Sequence, residues 1–470
     1  MKQFLIIHPF LFAIFPVLFL FAYNIDEVPA TEIFLPILVV IIGTLILLLV
    51  LRLVTNNRDR IAIVTSFLLV MFFSYGHVLK LFPLKSQTWI YIINISLTLL
   101  WVVLSAIGSF FIIKSRKDFS VFTRFLNIVA ITLVVISIIN IGTHEIERIN
   151  LQYSETTEER SDPGLNKGDD SPDIYYIILD GYSRADVLQE DFNYNNSEFI
   201  RYLTDKGFYV APRSCANYGS TYVCMPSYLN MDYLSTKELE SEAVRLQMMR
   251  DSKVSRLLKS IGYRYIFVGG NFGIEGIGEY ADSYLYNEAF GIQVNKFMYN
   301  LCDTTLLAPF SRFFGSHGAN SILFAFDVLA DVTHIEEPTF VYAHIMCPHP
   351  PWLFDSNDPK RFNVFESESE SPEVCRDGYL GNMAFINKKV EALLDEILLE
   401  SDISPIIILQ GDHGIICTET GDGRYVREIL NAYYLPEKDN QLLYETISPV
   451  NSFRVVFNLY FDTDYELLED

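Results

Sequence analysis

Carboxylate and imidazole side chains stand where apolar runs of the sequence end. Asp180 directly follows "IYYIIL", and Asp412 and His413 come shortly after "PIIIL". His344 lies near the end of "TFVYAHIM", and His349 follows in "HIMCPHPPW". Carboxylate oxygens and imidazole nitrogens are common ligands of divalent cations. The pattern therefore predicts a metal site built from Asp180, Asp412 and His413, with two further imidazoles nearby.

A hydroxyl-rich stretch, "NYGSTYVCMPS" (217–227), lies between the first and the later of these runs. A hydroxyl is a poor nucleophile at neutral pH, but coordination to a divalent cation activates it. Three protein ligands leave an open position on the cation, which a hydroxyl such as that of Thr221 fills. Backbone N–H groups of a helix expected to begin near Pro226 would help to hold an anion. This chemistry suits phosphoryl or sulfuryl transfer.

These residues need a framework that brings distant positions together. Apolar runs with strand character alternate with helical patterns along the second half of the chain, namely 174–179, 195–206, 256–270, 339–346, 386–400 and 405–409. Strands that are apolar on both faces and separated by helices indicate a mostly parallel sheet covered on both sides. Ligands bind such sheets at the carboxyl ends of the strands, where the predicted site residues stand.

The first 144 residues have a different composition, with only five of the 58 acidic residues of the chain. They contain five long apolar runs, roughly 4–22, 33–51, 61–79, 89–113 and 122–142. Each run reaches or approaches the ~20 residues that a membrane-spanning helix needs. A soluble helical bundle is the alternative, but its helices would alternate more with polar positions. The sequence predicts an N-terminal bundle of five transmembrane helices.

Lysine and arginine positions predict the orientation of these helices. With the N-terminus inside, the inner segments carry eight of the ten basic residues of 1–144, and the outer loops carry only Lys80 and Lys85. Five spans then place everything after Gly142 outside the cytoplasm. We predict three parts: a transmembrane domain (1–144), a polar linker (145–173) and an extracytoplasmic catalytic domain (174–470). The protein would be a multi-pass protein of the cell membrane.

The part after residue 144 is strongly acidic, with 25 of the 35 basic and 53 of the 58 acidic residues. Nucleic acid is not expected as a partner, because phosphate backbones select basic surfaces. An anionic substrate would need local compensation by a metal or by basic side chains. All six cysteines lie in this part, where disulfides are permitted. The sequence indicates neither their pairing nor the oligomeric state.

Four motifs occur in the order "DIYYIILDGYSR", "NYGSTYVCMPSYLN", "HIMCPHPPW" and "ILQGDHG" behind the apolar runs. This arrangement resembles the alkaline phosphatase/sulfatase superfamily. More narrowly, it resembles membrane-anchored sulfatase-like transferases such as lipoteichoic acid synthases and lipid A phosphoethanolamine transferases. The resemblance implies an alkaline phosphatase-like fold. It also implies a lipid-linked or cell-surface glycan phosphoester as substrate, in contact with the lipid bilayer.

The resemblance also assigns roles to residues. Asp180, Asp412 and His413 match metal ligands, and Thr221 matches the nucleophile, which also contacts the metal. His349 matches a histidine on the substrate side, and His344 is a second candidate there. The cofactor implied is a divalent metal ion such as manganese, zinc or magnesium.

Two departures from the family pattern keep alternatives open. "CMPSY" is similar to the sulfatase signature Cys-x-Pro-Ser-Arg, but Tyr228 stands in place of the arginine. Cys224 is therefore an alternative nucleophile, and a sulfatase (sulfuric ester hydrolase) is an alternative activity. Two-metal members of the family carry an extra aspartate at the position where this sequence has Asn387. We expect the amide of Asn387 on the substrate side of the site. This departure predicts one metal ion per site. A membrane-anchored protein that only binds its ligand is the remaining alternative.

Overall fold

The computed structural model divides the chain into two compact units. Unit 1 comprises Met1–Glu158 and Val294–Phe314, and unit 2 comprises Glu159–Gln293 and Gly315–Asp470. The structure describes residues 5–25, 28, 30–82, 87–155, 164–166, 171–269, 277–286, 296–310, 312–355, 372–415, 417, 426–438 and 440–469.

Five helices form most of unit 1, namely α1 (His8–Tyr23), α2 (Phe34–Val54), α3 (Arg58–Leu79), α4 (Gln87–Lys114) and α5 (Ser120–Glu155). Four stretches within α2 to α5 are long and apolar enough to cross a membrane. Helix α1 has 16 residues, and Pro9 lies in its first turn. At 1.5 Å per residue α1 is roughly 24 Å long, shorter than the ~30 Å hydrocarbon core of a bilayer. The described helices thus support four spans, and the predicted fifth stays a prediction.

Helix α5 continues beyond its apolar run to Glu155, so the first part of the predicted linker is helical. Unit 1 also includes a segment that the sequence placed in the catalytic domain. Residues 296–310, here called the inserted segment, contain helix α12 (Lys296–Asp303) and pack with the N-terminal helices. Phe297 contacts Phe21 of α1 edge-to-face, with ring centroids 6.5 Å apart.

A seven-stranded sheet forms the centre of unit 2, with the order β2-β7-β6-β1-β5-β3-β4. Its strands are β1 (Ile174–Leu179), β2 (Tyr209–Val210), β3 (Arg264–Val268), β4 (Ser283–Leu285), β5 (Thr339–Ile345), β6 (Ile406–Gly411) and β7 (Asn431–Tyr434). Strands β6, β1, β5, β3 and β4 are parallel, whereas β7 and β2 pair antiparallel at one edge. The predicted α/β class with a mostly parallel sheet is confirmed.

The described helices of unit 2 are α6 (Ala185–Phe192), α7 (Ser197–Asp205), α8 (Thr221–Asn230), α9 (Thr236–Glu240), α10 (Glu242–Arg250), α11 (Lys253–Ser260), α13 (Arg312–Asp331), α14 (Pro372–Glu400) and α15 (Ser452–Tyr460). Two hydrophobic clusters cover the two faces of the sheet. In β1, Tyr175, Ile177 and Leu179 belong to one cluster, and their neighbours on the other face belong to the second. All six residues of β1 are fully buried, as expected for a central strand covered by helices.

Candidate active site

The register of the sheet brings the predicted site residues to one edge. Leu179 of β1 pairs with Ile345 of β5 on one side and with Gly411 of β6 on the other. Asp180 and Asp412 each come one residue later, so both carboxylates leave the sheet at the same level. His344 stands one residue before Ile345 on the neighbouring strand. Parallel pairing therefore brings Asp180 together with side chains that lie more than 160 positions later in the sequence.

Helix α8 brings Thr221 to this edge. The helix begins at Thr221, with Ser220 as N-cap, so the prediction that it begins near Pro226 was wrong. Pro226 lies inside the helix, because another donor replaces the hydrogen bond that its missing N–H cannot make. A proline cannot donate to the carbonyl four residues earlier, which is that of Tyr222, and the Nε of Arg245 donates to this carbonyl instead, at 2.9 Å.

The Thr221 hydroxyl contacts both members of the Asp–His pair that follows β6. Its Oγ1 donates to Oδ2 of Asp412 at 2.6 Å and lies 3.3 Å from Nε2 of His413. The other oxygen of Asp412, Oδ1, accepts from the backbone N–H groups of Gly181 (3.1 Å) and His413 (2.8 Å). Asp412 is fully buried. The loops after β1 and β6 thereby fix the carboxylate that orients the hydroxyl.

The five residues Asp180, His344, His349, Asp412 and His413 are here called the ligand cluster. Nε2 of His344 lies 3.1 Å from Oδ2 of Asp180, and Nε2 of His413 lies 3.6 Å from Oδ1 of Asp180 and 3.5 Å from Oδ2 of Asp412. The rings of His349 and His413 stand edge-to-face with centroids 5.9 Å apart. The structure thus brings all five predicted cluster residues together, with Thr221 beside them.

Backbone carbonyls set the tautomers of two of these histidines. Nδ1 of His413 lies 2.8 Å from the carbonyl of Gly414, and Nδ1 of His349 lies 2.8 Å from the carbonyl of Pro350. A carbonyl only accepts, so each Nδ1 carries a proton, and Nε2 is the nitrogen that can face a cation or a substrate. Metal-binding histidines are commonly oriented in this way by a second hydrogen bond.

Asp180 carries the clearest sign that the cluster suits a cation. Its Oδ1 is buried and has no hydrogen-bond partner among the residues that the structure describes, although a buried carboxylate oxygen normally has one. Burial alone would raise the pKa of Asp180, but His349, His344 and His413 together hold it well below its ordinary value. The side chain is therefore an anion surrounded by imidazoles, and one of its oxygens lacks a hydrogen bond within the described part of the chain. The residues present fit a divalent metal ion.

Two overlapping groups within the cluster have ligand atoms within 4.8 Å of one another. One contains Asp180, His344 and Asp412, and the other contains Asp180, His349 and His413. Both groups share Asp180, since each of its two oxygens faces a different histidine. His344 and His349, predicted on the substrate side, are thus placed where they could also act as ligands.

Asn387 belongs to a different arrangement. Its Oδ1 accepts from the Tyr182 hydroxyl at 2.7 Å, and its Nδ2 donates to Oδ1 of Asn196 at 2.8 Å. Asn196 in turn donates to the Tyr182 hydroxyl at 3.0 Å. These three buried residues, here called the amide triad, form a closed ring of hydrogen bonds. The amide predicted to face the substrate is engaged on both sides within the protein core.

Asn382, one turn and a half earlier on α14, is a residue that sequence reasoning missed. Its Oδ1 accepts from the N–H groups of Leu353 and Phe354 at 3.1 and 3.0 Å. Its Nδ2 lies 3.2–3.3 Å from the carbonyls of Pro348, His349 and Pro351. Asn382 therefore holds the loop that carries His349. The available signal was that Asn382 and Asn387 stand among the mainly apolar buried positions of this helix.

Cys224 is fully buried in the hydrophobic cluster on the α8 side of the sheet. Burial, together with the nearby charge of Asp412, raises the pKa of its thiol to about 12. A buried protonated thiol is a poor nucleophile. Elsewhere, a disulfide joins Cys375 of α14 to Cys417, which follows His413 by four residues.

A mostly parallel sheet with carboxylates and imidazoles at the carboxyl ends of its central strands defines an α/β protein with a candidate metal centre. The family model described as Sulfatase matches residues 172–447 of this chain. The chain therefore belongs to the sulfatase family. This confirms the resemblance to the alkaline phosphatase/sulfatase superfamily, whose members are enzymes. No protein among curated sequences matches the chain.

Several solved structures are similar to the chain. They include the C-terminal periplasmic domain of EptC from Escherichia coli in complex with zinc (11% identity, 64% of this chain and 87% of that chain, TM-score 0.44). The integral membrane phosphoethanolamine transferase EptA from Neisseria meningitidis covers 96% of this chain and 95% of its own at 12% identity, with a TM-score of 0.41. The lipoteichoic acid synthase LtaP from Listeria monocytogenes covers 57% and 66% at 12% identity, with a TM-score of 0.38.

Proposed function

We propose that this protein is a membrane-embedded, metal-dependent transferase or hydrolase that acts on a phosphoester through a covalent threonine intermediate. One observation carries the proposal: the Thr221 hydroxyl donates to Asp412 at 2.6 Å, next to His413, inside the ligand cluster. Thr221 is also the first residue of α8. The start of a helix favours negative charge, so an anion that approaches the hydroxyl would meet a favourable end of α8.

A divalent cation held by Asp180, Asp412 and His413 would activate the hydroxyl and offset the charge of the substrate. In the proposed reaction, Oγ1 of Thr221 forms a bond to phosphorus and the bond from phosphorus to the leaving oxygen breaks. The leaving oxygen takes up a proton. The hydroxyl of an acceptor, or water, then attacks the phosphothreonine, and Oγ1 regains a proton as product leaves.

His349 is the member of the cluster suited to proton transfer. It is only partly buried, whereas Asp180, His344 and Asp412 are buried. Its Nδ1 is held by a carbonyl, so Nε2 is the nitrogen that takes up or gives a proton. A general acid must lie within reach of the leaving oxygen. We assign this position to His349, with Asn382 orienting its loop.

The substrate class follows from the membrane helices. We propose that α1 to α5 anchor the protein as a multi-pass protein of the cell membrane, with the catalytic domain outside the cytoplasm. A lipid-linked or surface-glycan phosphoester is then within reach. A reporter that is active only outside the cytoplasm, fused after residue 470, should be active. A fusion that is active only in the cytoplasm would contradict this orientation.

The nucleophile is tested with the full-length protein in detergent, supplied with Mn²⁺ or Zn²⁺. Bis(p-nitrophenyl) phosphate and p-nitrophenyl sulfate serve as parallel probes. We expect release of p-nitrophenol from the phosphodiester, a fall of about 10³-fold or more in Thr221→Ala, and partial activity in Thr221→Ser, which keeps the hydroxyl. One p-nitrophenol leaves the diester, so mass spectrometry should find a p-nitrophenylphosphoryl group on the peptide that contains Thr221. Activity on the sulfate alone, with formylglycine at Cys224, would establish the sulfatase alternative instead.

A further inference from the structure

Unit 1 contains a cavity of about 560 Å³. Its walls come from α2, α3, α4 and the inserted segment, with Gly43, Phe72, Trp101 and Leu306 among the lining residues. The volume lies within the ~300–1,000 Å³ range of small-molecule sites. We propose that this cavity binds an acyl chain of a membrane lipid. The proposal rests on the membrane placement put forward under the proposed function.

The walls are suited to a ligand without polar groups. Most lining residues are aliphatic or aromatic. The hydroxyls of Thr44 and Thr305 donate to backbone carbonyls three or four residues earlier, at 2.7 and 2.8 Å. The indole N–H of Trp101 donates to the carbonyl of Met71 at 2.8 Å. These three donors are already used within the protein, and Ser105 and Cys302 are the other polar side chains in the described walls. A polar ligand would therefore find little compensation for its lost hydration.

The cavity opens sideways between α2 and α4. Gly43 is exposed, and Val39 and Val102 are 57% and 52% exposed although both line the cavity. Long apolar helices with exposed aliphatic side chains face lipid when they cross a bilayer. The molecules that lie outside the opening are then lipid hydrocarbon chains. This position selects an acyl chain over other apolar ligands.

The inserted segment forms the fourth wall of the cavity, and backbone hydrogen bonds hold it against α3. Leu306 donates its N–H to the carbonyl of Phe72 at 2.9 Å, and Gly76 donates its N–H to the carbonyl of Thr304 at 3.1 Å. Phe72 and Gly76 are four residues apart on α3, so the segment takes the place of one helical hydrogen bond. A Cβ at Gly76 would overlap the carbonyl of Asp303. This wall comes from a part of the sequence that lies between two stretches of unit 2.

Gly43 provides a direct test, because it lines the cavity and a Cβ built there meets no atom of the described residues within 4 Å. The indole of Gly43→Trp therefore has room to occupy the cavity from its open side. Gly142 of α5 is a matched control: it also has open space around its Cβ position and does not line the cavity. Gly43→Ala is a second control, which makes the same backbone change without filling the space.

The experiment uses full-length protein in nanodiscs and a phosphatidylcholine with a photoreactive diazirine in one acyl chain. We expect label on residues 296–310 in the wild type, in Gly142→Trp and in Gly43→Ala, and about tenfold less in Gly43→Trp. Water-soluble glycerophosphocholine should not compete. Equal labelling of that peptide in Gly43→Trp, or label spread evenly over all apolar helices, would overturn the proposal.

The label does not depend on catalysis, so the two proposals can fail separately. Thr221→Ala should keep the full label on the inserted segment. A labelled but catalytically inert wild type would contradict the proposed function alone. An active wild type without this label would contradict the acyl-chain site alone.

Discussion

The ligand cluster and the amide triad are two buried polar groups of unit 2 that are built in opposite ways. In the triad, Tyr182, Asn196 and Asn387 satisfy one another in a ring of three hydrogen bonds. In the cluster, Oδ1 of Asp180 has no hydrogen-bond partner among the described residues, and Nε2 of His413 lies 3.6 Å from Asp180 and 3.5 Å from Asp412. A closed network stabilises a fold, whereas ligand atoms that converge on one point without closing a ring of hydrogen bonds are suited to a cation. The pattern of hydrogen bonds therefore distinguishes polar residues that stabilise the fold from polar residues that are suited to bind a metal ion.

The strongest test of this contrast removes a ligand. Asp412→Ala should lower metal affinity by more than ~100-fold, since changes to mere outer partners already cost 10–100-fold. Activity should fall to the level of Thr221→Ala. Titration calorimetry with Zn²⁺ and Mn²⁺ measures the affinity, and Asp395→Ala, which changes an exposed carboxylate, is the control.

Metal removal gives the same test without a mutation. A ligand that binds only the folded state at 100 times its Kd stabilises it by ~2.7 kcal/mol. A chelator should therefore lower the melting temperature of the wild type and leave that of Asp412→Ala unchanged. If the chelator shifts neither protein, or both equally, the cluster is not the metal site.

The next effect concerns Asn382, which connects the fold to the cluster. Asn382→Ala should lower kcat/KM by about 10–100-fold, in the range seen for residues that orient functional groups. The reason is that the loop that carries His349 loses its five contacts to this amide. A role in positioning the general acid predicts a larger change in kcat than in KM and an altered pH profile. An unchanged kcat would place the role of Asn382 in stability only.

Asn387→Ala, on the same helix, is the matched counterpart with a smaller effect on activity. It should reduce the free energy of unfolding by ~1–3 kcal/mol, because the Tyr182 hydroxyl and the Asn196 amide lose buried partners. Well below the melting temperature, kcat/KM should stay within about threefold of the wild type. A loss of activity without a loss of stability would instead favour the predicted position of Asn387 on the substrate side.

These two asparagines mark how far the sequence could predict the site. The apolar runs located β1, β5 and β6 to within two residues, because a strand buried on both faces is a strong local signal. The carboxylates and imidazoles after them could then be expected at one edge of a parallel sheet. Which asparagine of α14 reaches the loop depends on the rotation of that helix, which its sequence pattern does not determine.

The inserted segment could not be predicted for a related reason. "KFMYNLCDTTLLAPF" (296–310) is too short and too polar to indicate a membrane element on its own. Its place in unit 1 depends on backbone hydrogen bonds to α3 and on the missing side chain of Gly76. Such partners are more than 200 residues away in the sequence. The start of α8 was likewise misjudged, because the contact between Arg245 and the carbonyl of Tyr222 is a tertiary one.

The smallest expected effect separates the two candidate nucleophiles. Thr221 and Cys224 lie three residues apart on α8. Of the two, Thr221 is the one whose side chain contacts Asp412 and His413. Cys224→Ala should leave kcat/KM within about twofold of the wild type, since the thiol of Cys224 is fully buried among hydrophobic residues and its pKa is raised to about 12. It should cost ~1 kcal/mol of stability through lost packing. An activity loss as large as that of Thr221→Ala would move the reaction from the threonine to the cysteine and with it the activity from phosphoester to sulfate ester.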